Sequence, residues 1–166
     1  MIFLASPPRP LNGSNILNDS YWMKKAWKLA LEANEHGEVP VGAVLVSGDN
    51  QILAASYNQV IAQHDPTAHA EIQAIREAAL KLGNYRLEEC TLYATLEPCA
   101  MCAGAMVHSR IKRVVFACRD FKAGAAGSVY NLLKGYPFNH QVIIDEGIMQ
   151  QECSQLLQSF FSSRRH

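Results

Sequence analysis

Two short stretches carry side chains whose types and spacing suit metal chemistry. "HAE" places His69 two residues before Glu71, and "PCAMC" places Cys99 three residues before Cys102. Residues three apart share one face of a helix, and the first turn of a helix stabilises thiolates through its free N–H groups and its dipole. Two thiolates and one imidazole suit zinc, and three protein ligands leave a fourth position open, as in catalytic zinc sites.

The acid beside these ligands has a role in such a site. Zinc makes water reactive at neutral pH, and a carboxylate must then carry a proton from that water to a leaving amine. Glu71 is the candidate. Residues two apart on a regular helix point about 200° apart, so His69 and Glu71 converge only near a helix end, where the sequence places them. His-x-Glu followed by Pro-Cys-x-x-Cys matches the signature of zinc-dependent nucleobase deaminases.

Each half of this pattern also has simpler explanations. A lone CxxC occurs as a redox pair, as half of a structural zinc site or by chance, and a lone HxE is common at exposed helix starts. A fourth protein ligand would close the site, and the candidates are His64, His108, Cys90 and Cys118. Cys90 and Cys118 flank strands, as core thiols do, and His108 sits at a helix C-terminus. His64, in the loop before the helix, is expected to line the site.

Strands and helices alternate along the chain, which predicts an α/β domain with three layers, α/β/α, around a mixed five-stranded sheet. Strands are expected at 41–47, 51–58, 90–95, 112–118 and 141–146. The first two form a hairpin, and those joined by helices are expected to be parallel. Helices are expected from Asp19 or Ser20 to Gly37, over 67–82, over 98–109 and over 147–161. The domain is predicted to span 19–166, and the proline-rich segment 1–18 to be a disordered extension.

Composition excludes several classes of protein. Lys+Arg and Asp+Glu balance at 15 each, so no overall field attracts nucleic acid, and any RNA binding must come from a local patch. Five cysteines, an odd number, exclude a complete disulfide framework and favour a reducing cytoplasm. No apolar run approaches the roughly 20 residues that span a bilayer, and the apolar N-terminus lacks the basic leader of a signal peptide. We therefore expect a cytoplasmic protein with no membrane partner.

Further stretches make a resemblance to one family specific. "VPVGAVLV", "HDPTAHAEI", "NYRL" and "TLYATLEPCAMCAGAMVHSRIKRVVFACRDFKAGAAGS" resemble the bacterial tRNA-specific adenosine deaminases, and the likeness covers about residues 20–165. The HAE and PCxxC pieces are shared by all zinc deaminases of this fold, whereas the block from "SRI" to "GAAGS" is more specific to the tRNA enzymes. The resemblance implies a cytidine-deaminase-like fold.

The resemblance also implies a reaction and roles for individual residues. The reaction is hydrolysis of adenosine to inosine at the wobble position 34 of a tRNA anticodon, with release of ammonia. It implies one zinc ion per subunit on His69, Cys99 and Cys102, with Glu71 as proton donor. It implies contact between Asn58 and the target base or its ribose, although Asn58 is equally typical of a turn residue that ends a hairpin.

A homodimer is implied as well, with an RNA cleft formed by both subunits. The third helix, "AMCAGAMVHS", is small and apolar, which suits close packing against a partner helix or against its own sheet.

Candidate RNA contacts lie in short basic and loop segments. "FFSSRRH" ends the chain with Arg164 and Arg165 beside aromatic residues, and further basic groups lie at 24–25 and 110–113. Each basic group alone is also typical of a solvated face. The loop "RDFKAGAAGS", residues 119–128, is expected to be a flexible wall of the base pocket, with Asp120 near the RNA. Cys118, where the family usually has a small residue, leaves the substrate preference open.

Two rival functions stay open at this point. The first is a deaminase of the same fold that acts on free guanine, cytidine or deoxycytidylate, and such an enzyme needs no basic C-terminal helix. The second is an RNA-binding module in which zinc only stabilises the fold. Glu71 argues against this second function, because a structural zinc site has no use for an acid that is not a ligand.

Overall fold

The structure, a computed structural model, describes residues 13–134 and 140–165. Over these ranges the helices are α1 (Gly13–Glu35), α2 (Ala70–Leu82), α3 (Ala100–His108) and α4 (Gln150–Ser162). The strands are β1 (Gly42–Val46), β2 (Ile52–Tyr57), β3 (Thr91–Leu96), β4 (Arg113–Cys118) and β5 (Ile143–Glu146). The described helices include none that is both long enough and apolar enough to cross a bilayer.

The five strands form one mixed sheet in the order β2-β1-β3-β4-β5. β1 pairs antiparallel with β2 and β3, whereas β3, β4 and β5 are parallel neighbours. The predicted hairpin and the predicted parallel strands are therefore confirmed. The short β1–β2 connection reverses the chain, and the β3–β4 connection carries α3, as a parallel crossover requires.

Helices cover both faces of this sheet. α1 packs on β1, β2 and β3 and also contacts α4, while α2 packs on β2 and β1 and contacts α3. α1 and α4 thus form one outer layer, and α2 and α3 form the other. All five residues of β1 are buried, as are the central residues of β3 and β4, because both faces of these strands meet helices. The predicted three-layer α/β/α architecture is confirmed.

Two predicted helix starts are wrong. α1 begins at Gly13, six residues before Asp19, because each residue added to an existing helix gains a backbone hydrogen bond at little further cost. The backbone of 13–18 is therefore helical, whereas residues 1–12 of the predicted extension lie outside the described residues. α2 begins at Ala70 rather than near Thr67, because the Asp65 carboxylate accepts hydrogen bonds from the Thr67 N–H and hydroxyl groups and holds a turn there.

A buried ion-pair network joins α1 to the sheet. Asp19 is 1% exposed, and its carboxylate accepts two hydrogen bonds from Arg113, at 2.8 and 2.6 Å, and a third from the Tyr93 hydroxyl. Arg113 also donates to Asp145 on β5 at 2.7 Å. Asp19 thus lies inside α1 instead of capping it, and Arg113 is a structural residue.

The sheet topology brings four chain segments to one edge. Register pairs place Gly42 opposite Tyr57, and Leu96 opposite Cys118. The entry to β1 and the exits of β2, β3 and β4 therefore share this edge. In open α/β sheets the carboxyl ends of parallel strands form the usual ligand crevice.

Candidate active site

Three metal-ligating side chains meet at this edge, although the sequence separates them by up to 33 residues. His69 immediately precedes α2, and Cys99 immediately precedes α3, on whose first turn Cys102 lies. The Nδ1 atom of His69 is 3.7 Å from the Cys99 sulfur and 3.6 Å from the Cys102 sulfur. All three ligand atoms lie within 4.8 Å of one another.

This geometry fits a tetrahedral zinc ion. Zn–S distances near 2.3 Å and Zn–N distances near 2.0 Å put neighbouring ligand atoms about 3.5–3.8 Å apart, in agreement with the separations above. Within the described residues, the cluster includes none of the four candidates for a closing ligand, which were His64, His108, Cys90 and Cys118. The residues therefore fit an open, catalytic type of zinc site better than a closed structural one.

Hydrogen bonds inside the cluster shift the pKa values of the two cysteine thiols in opposite directions, because the two sulfurs share one proton. Hydrogen bonds from Cys102 and from the imidazole of His69 together lower the pKa of Cys99 to about 4. The hydrogen bond between Cys102 and Cys99, together with burial, raises the pKa of Cys102 well above its usual range. A divalent cation replaces this shared proton and allows both sulfurs to be thiolates, which is the form that binds zinc.

Glu71 lies in the first turn of α2, directly beside this cluster. Its side chain is 4% exposed, and its Oε1 atom has no hydrogen-bond partner within the described residues. Burial raises the pKa of the Glu71 carboxyl group. A buried oxygen without a partner is costly in a folded protein, which makes this carboxylate a candidate functional group.

A cavity of about 340 Å³ opens in front of the cluster. It is lined by Asn58, His69, Glu71, Cys99 and Asp120, so the structure brings five of the predicted site residues together. Cys102 is fully buried behind it. The volume lies at the small end of the range for small-molecule sites, which suits a single base.

Asn58 supports the helix that carries the ligand and the acid. It is 7% exposed, and its Oδ1 atom accepts a hydrogen bond from the Ala70 N–H group at 2.8 Å. His69, the N-cap residue, makes no capping bond with its own side chain, so Asn58 takes over that task from outside the helix. Asn58 therefore both ends the hairpin and lines the cavity.

Two buried glutamates that sequence reasoning missed hold the loops on either side of the cavity. Glu38 is 2% exposed and accepts hydrogen bonds from the Ile61 and Ala62 N–H groups, the shortest at 2.6 Å. Glu97, also 2% exposed, accepts from the backbone N–H groups of Asp120, Ala126 and Ser128 and from the Ser128 hydroxyl group. The position of Glu97 directly before the "PC" of the PCxxC motif was the sequence signal that could have identified it.

The loop 119–128 does form part of the cavity wall, through Asp120 and Ala123, but its hydrogen bonds to Glu97 hold it in place rather than leaving it flexible as predicted. A Cβ atom at Gly124 would lie 2.4 Å from the Glu97 carboxylate and 2.4 Å from the Asp120 carbonyl oxygen. The glycine allows the loop backbone to approach Glu97 closely. Only a residue without a side chain fits at this position.

The other predicted contact residues lie outside the cavity wall. His64 is exposed, with φ of 49°, in the loop that Glu38 holds. Arg164 donates a hydrogen bond to the Gly37 carbonyl oxygen at 2.9 Å and stacks 4.1 Å above the Phe160 ring, which places the end of α4 beside Glu38. Arg165 is exposed. RNA contact by these three residues stays a prediction.

Two other expectations about this region change. Lys112 is paired with Glu89 at 2.8 Å and Arg113 with Asp19 and Asp145, so the basic group at 110–113 is largely neutralised within the protein. Cys118 is buried, its thiol donates to the Thr95 carbonyl oxygen, and burial raises its pKa to about 11. The Cys118 side chain belongs to the core rather than to a substrate surface.

Comparison with known proteins agrees with this site. Residues 17–118 match the family model for the cytidine and deoxycytidylate deaminase zinc-binding region. The tRNA-specific adenosine deaminase of Haemophilus influenzae is 50% identical to this chain over 147 residues, which are 89% of this chain and 85% of that protein. The chain belongs to the tRNA-specific adenosine deaminase family.

Solved structures place this deaminase among enzymes with two kinds of substrate. A tRNA:A34 deaminase structure, studied for A-to-I editing at the wobble position, superposes with a TM-score of 0.80 and 39% identity over 83% of this chain and 99% of that one. A guanine deaminase from Bacillus subtilis matches with a TM-score of 0.59 and 41% identity over 70% of this chain and 71% of that one. The fold and the zinc-binding region are thus common to deaminases of RNA and of free bases.

The ligand geometry predicts that the purified deaminase, never exposed to a chelator, carries about one zinc ion per chain. Cys102→Ala should lose this metal, because two ligands are too few to hold it, and should loosen the contact between α2 and α3. Elemental analysis measures the metal directly. Cys153→Ala, which removes a buried thiol on α4, is the matched control and should retain zinc. A wild-type content far below one per chain would contradict the zinc site.

Proposed function

We propose that this chain hydrolyses adenosine to inosine at the wobble position 34 of a tRNA anticodon and releases ammonia. The observation that carries the proposal is the buried carboxylate of Glu71, which lines the cavity beside His69 and Cys99 and whose Oε1 atom has no hydrogen-bond partner within the described residues. The family supplies the substrate class, since the H. influenzae relative is named a tRNA-specific adenosine deaminase.

The residues divide the chemistry between them. Zinc held by His69, Cys99 and Cys102 supplies Lewis acidity that makes water reactive at neutral pH. Glu71 takes one proton from this water as the oxygen bonds to C6 of the adenine ring. Glu71 then gives a proton to the amino nitrogen, the C6–N bond breaks, and ammonia leaves. The oxygen stays on C6, so the product base is hypoxanthine and the nucleoside is inosine.

The raised pKa of Glu71 suits this exchange. A carboxyl group that both takes and returns a proton works best when its pKa lies near the working pH. Burial moves the pKa of Glu71 upward in that direction, whereas a bound zinc cation acts in the opposite direction. The two influences together keep the group able to change protonation state.

The surroundings of the cavity fit a base on a larger substrate. A base inside a duplex cannot reach a buried reactive centre, whereas an unpaired loop base can be turned into a pocket. Asn58 and Asp120 line the pocket and are proposed to contact the flipped adenosine, while His64, Arg164 and Arg165 are proposed to contact the anticodon stem-loop around it.

Free thiols on all five cysteines fit the cytoplasmic location expected from the sequence.

Hydrolysis of free guanine is the second candidate, because the guanine deaminase from B. subtilis matches this chain at 41% identity. The two candidates differ in their products. Incubation with an anticodon stem-loop that carries adenosine at the wobble position yields inosine only from the first, and incubation with free guanine yields xanthine only from the second. Inosine formation with no turnover of guanine would support our proposal, and the reverse would overturn it.

Replacement of Glu71 tests the proton transfer. Glu71→Ala and the isosteric Glu71→Gln should keep zinc, fold and RNA affinity, because Glu71 is not a ligand. Turnover should fall by at least the about 10²–10⁴-fold that general acid–base catalysis contributes. Single-turnover inosine formation on the stem-loop measures the loss, with the exposed Glu88→Gln as control. Inosine formation at the wild-type rate by either Glu71 variant would remove the role we assign to this residue.

Replacement of the C-terminal arginines tests RNA contact. If Arg164 and Arg165 each neutralise one phosphate, the double alanine variant should bind the stem-loop more weakly. The slope of log K against log salt should then shrink by roughly 0.7–0.9 for each arginine removed. The Lys24→Ala, Lys25→Ala double variant removes a comparable pair from α1 and serves as control. Equal salt slopes for the wild type and the arginine variant would identify the C-terminus as a solvated tail.

Dimerisation is the remaining proposal, and α3 is its most suitable surface. Met101 is 36% exposed, and a Cβ atom at Gly104 would meet no atom within 4 Å among the described residues, so this small, apolar face is open to close packing. We expect light scattering to give twice the chain mass of 18.4 kDa, and Met101→Glu to shift the mass toward one chain. A wild-type mass near one chain at working concentration would exclude the dimer.

A further inference from the structure

Phe121 lies in the loop 119–128 and directly follows Asp120, which lines the cavity. Its side chain is 78% exposed, although single exposed apolar residues are common and need no explanation by themselves. The positions next to Phe121 distinguish it from other exposed apolar residues. Asp120 and Ala123 both line the cavity, whereas Phe121 does not, so Phe121 lies on the outer side of a turn that forms the cavity wall. The Phe121 ring is therefore exposed to solvent and is carried by the residue next to the wall residue Asp120.

The turn that carries Phe121 is fixed by hydrogen bonds at both ends. The Asp120 carboxylate accepts from the N–H groups of Lys122 and Ala123, at 3.0 and 3.1 Å, and the Asp120 carbonyl oxygen accepts from Gly124 at 2.8 Å. The Asp120 N–H group in turn donates to the buried Glu97 carboxylate at 3.1 Å. An exposed ring on so restrained a turn loses little conformational freedom when a flat ligand packs against it.

The kind of ligand follows from the proposed function, on which this inference rests. A flipped adenosine fills the pocket, and the strand must leave the pocket across its rim in both directions. The bases next to the target in an anticodon loop are unpaired, and such bases are commonly stacked on aromatic side chains. Lys122, exposed beside Phe121, adds a positive charge where a phosphate of the same strand would pass.

We propose that Phe121 is a stacking platform for an unpaired base that directly neighbours the target adenosine. This contact lies outside the pocket, so it contributes to the choice of RNA over free bases without touching the reacting atoms. Leu80 is more exposed, at 84%, but it lies on α2 and neither it nor its sequence neighbours line the cavity.

The test is a coupling measurement in the zinc-loaded Glu71→Gln background, which prevents turnover during binding. Affinities are measured for Phe121, Phe121→Ala and Phe121→Trp proteins with three stem-loops: the complete one, and two in which the base 5′ or 3′ of the target is replaced by an abasic sugar. Phe121→Ala should weaken binding of the complete loop by about 5- to 150-fold, the range for loss of one base–aromatic stack. On one of the abasic loops the same change should have no further effect, and Phe121→Trp should restore affinity for the complete loop.

The control is Tyr85→Ala, which removes a ring that is 63% exposed at the opposite, amino-terminal end of β3. It should leave all three affinities unchanged. An unchanged affinity for Phe121→Ala, or an equal loss on all three loops, would overturn the stacking proposal. Inosine formation by the otherwise wild-type protein is measured alongside on the complete loop. Its absence would count against the proposed function, whereas turnover without coupling would count only against Phe121.

Discussion

The central constraint on this structure is electrostatic. Two sulfurs that bind zinc as thiolates, an imidazole and a buried carboxylate lie close together at the wall of the cavity. Without a cation the sulfurs share one proton, and the pKa values of Cys99 and Cys102 move in opposite directions. Such a cluster is stable only if a divalent cation balances the charge and if the surrounding backbone is held rigidly. Much of the architecture at this edge of the sheet serves those two needs.

The fold meets the second need through two helix starts and three polar supports. α2 and α3 begin at the same edge, so the positive ends of both helix dipoles point toward the thiolates. Asn58 fixes the first turn of α2 from outside, and Glu38 and Glu97 fix the loops on the two sides of the cavity. Each of these three side chains is almost fully buried and uses its oxygen atoms as acceptors for backbone N–H groups.

Hydrogen bonds separate the proposed catalytic acid, Glu71, from the two structural acids. Glu38, Glu71 and Glu97 are all buried and all line the cavity. Burial acts to raise the pKa of Glu97, but the hydrogen bonds from Ser128, Ala126 and Asp120 together keep it below its usual value. Glu71 has an unpartnered oxygen, and burial raises its pKa. An acid whose acceptor sites are filled stays a carboxylate, whereas one with a free oxygen can exchange a proton.

The sequence predicted the elements, and it predicted that His69, Cys99 and Cys102 come together, because both leave local patterns: alternating strands and helices, and the spacings HxE and CxxC. It did not predict the loop supports, because Glu38 and Glu97 reach partners more than 20 residues away and have no fixed spacing to them. It overestimated the positive charge that the basic group at 110–113 offers to RNA for the same reason, since the acidic partners of Arg113 come from α1 and β5.

The contrast between local sequence patterns and non-local contacts bears on how substrate choice arises. The zinc-binding region is shared with deaminases of free bases, so the metal and its acid cannot distinguish a free purine from a wobble adenosine. We propose that the distinction comes from the loops around the cavity, whose positions are set by the non-local contacts of Glu38, Glu97 and Arg164. On this proposal, substrate choice depends on residues such as Glu38 and Glu97, whose partners lie far away in the sequence and leave no local motif.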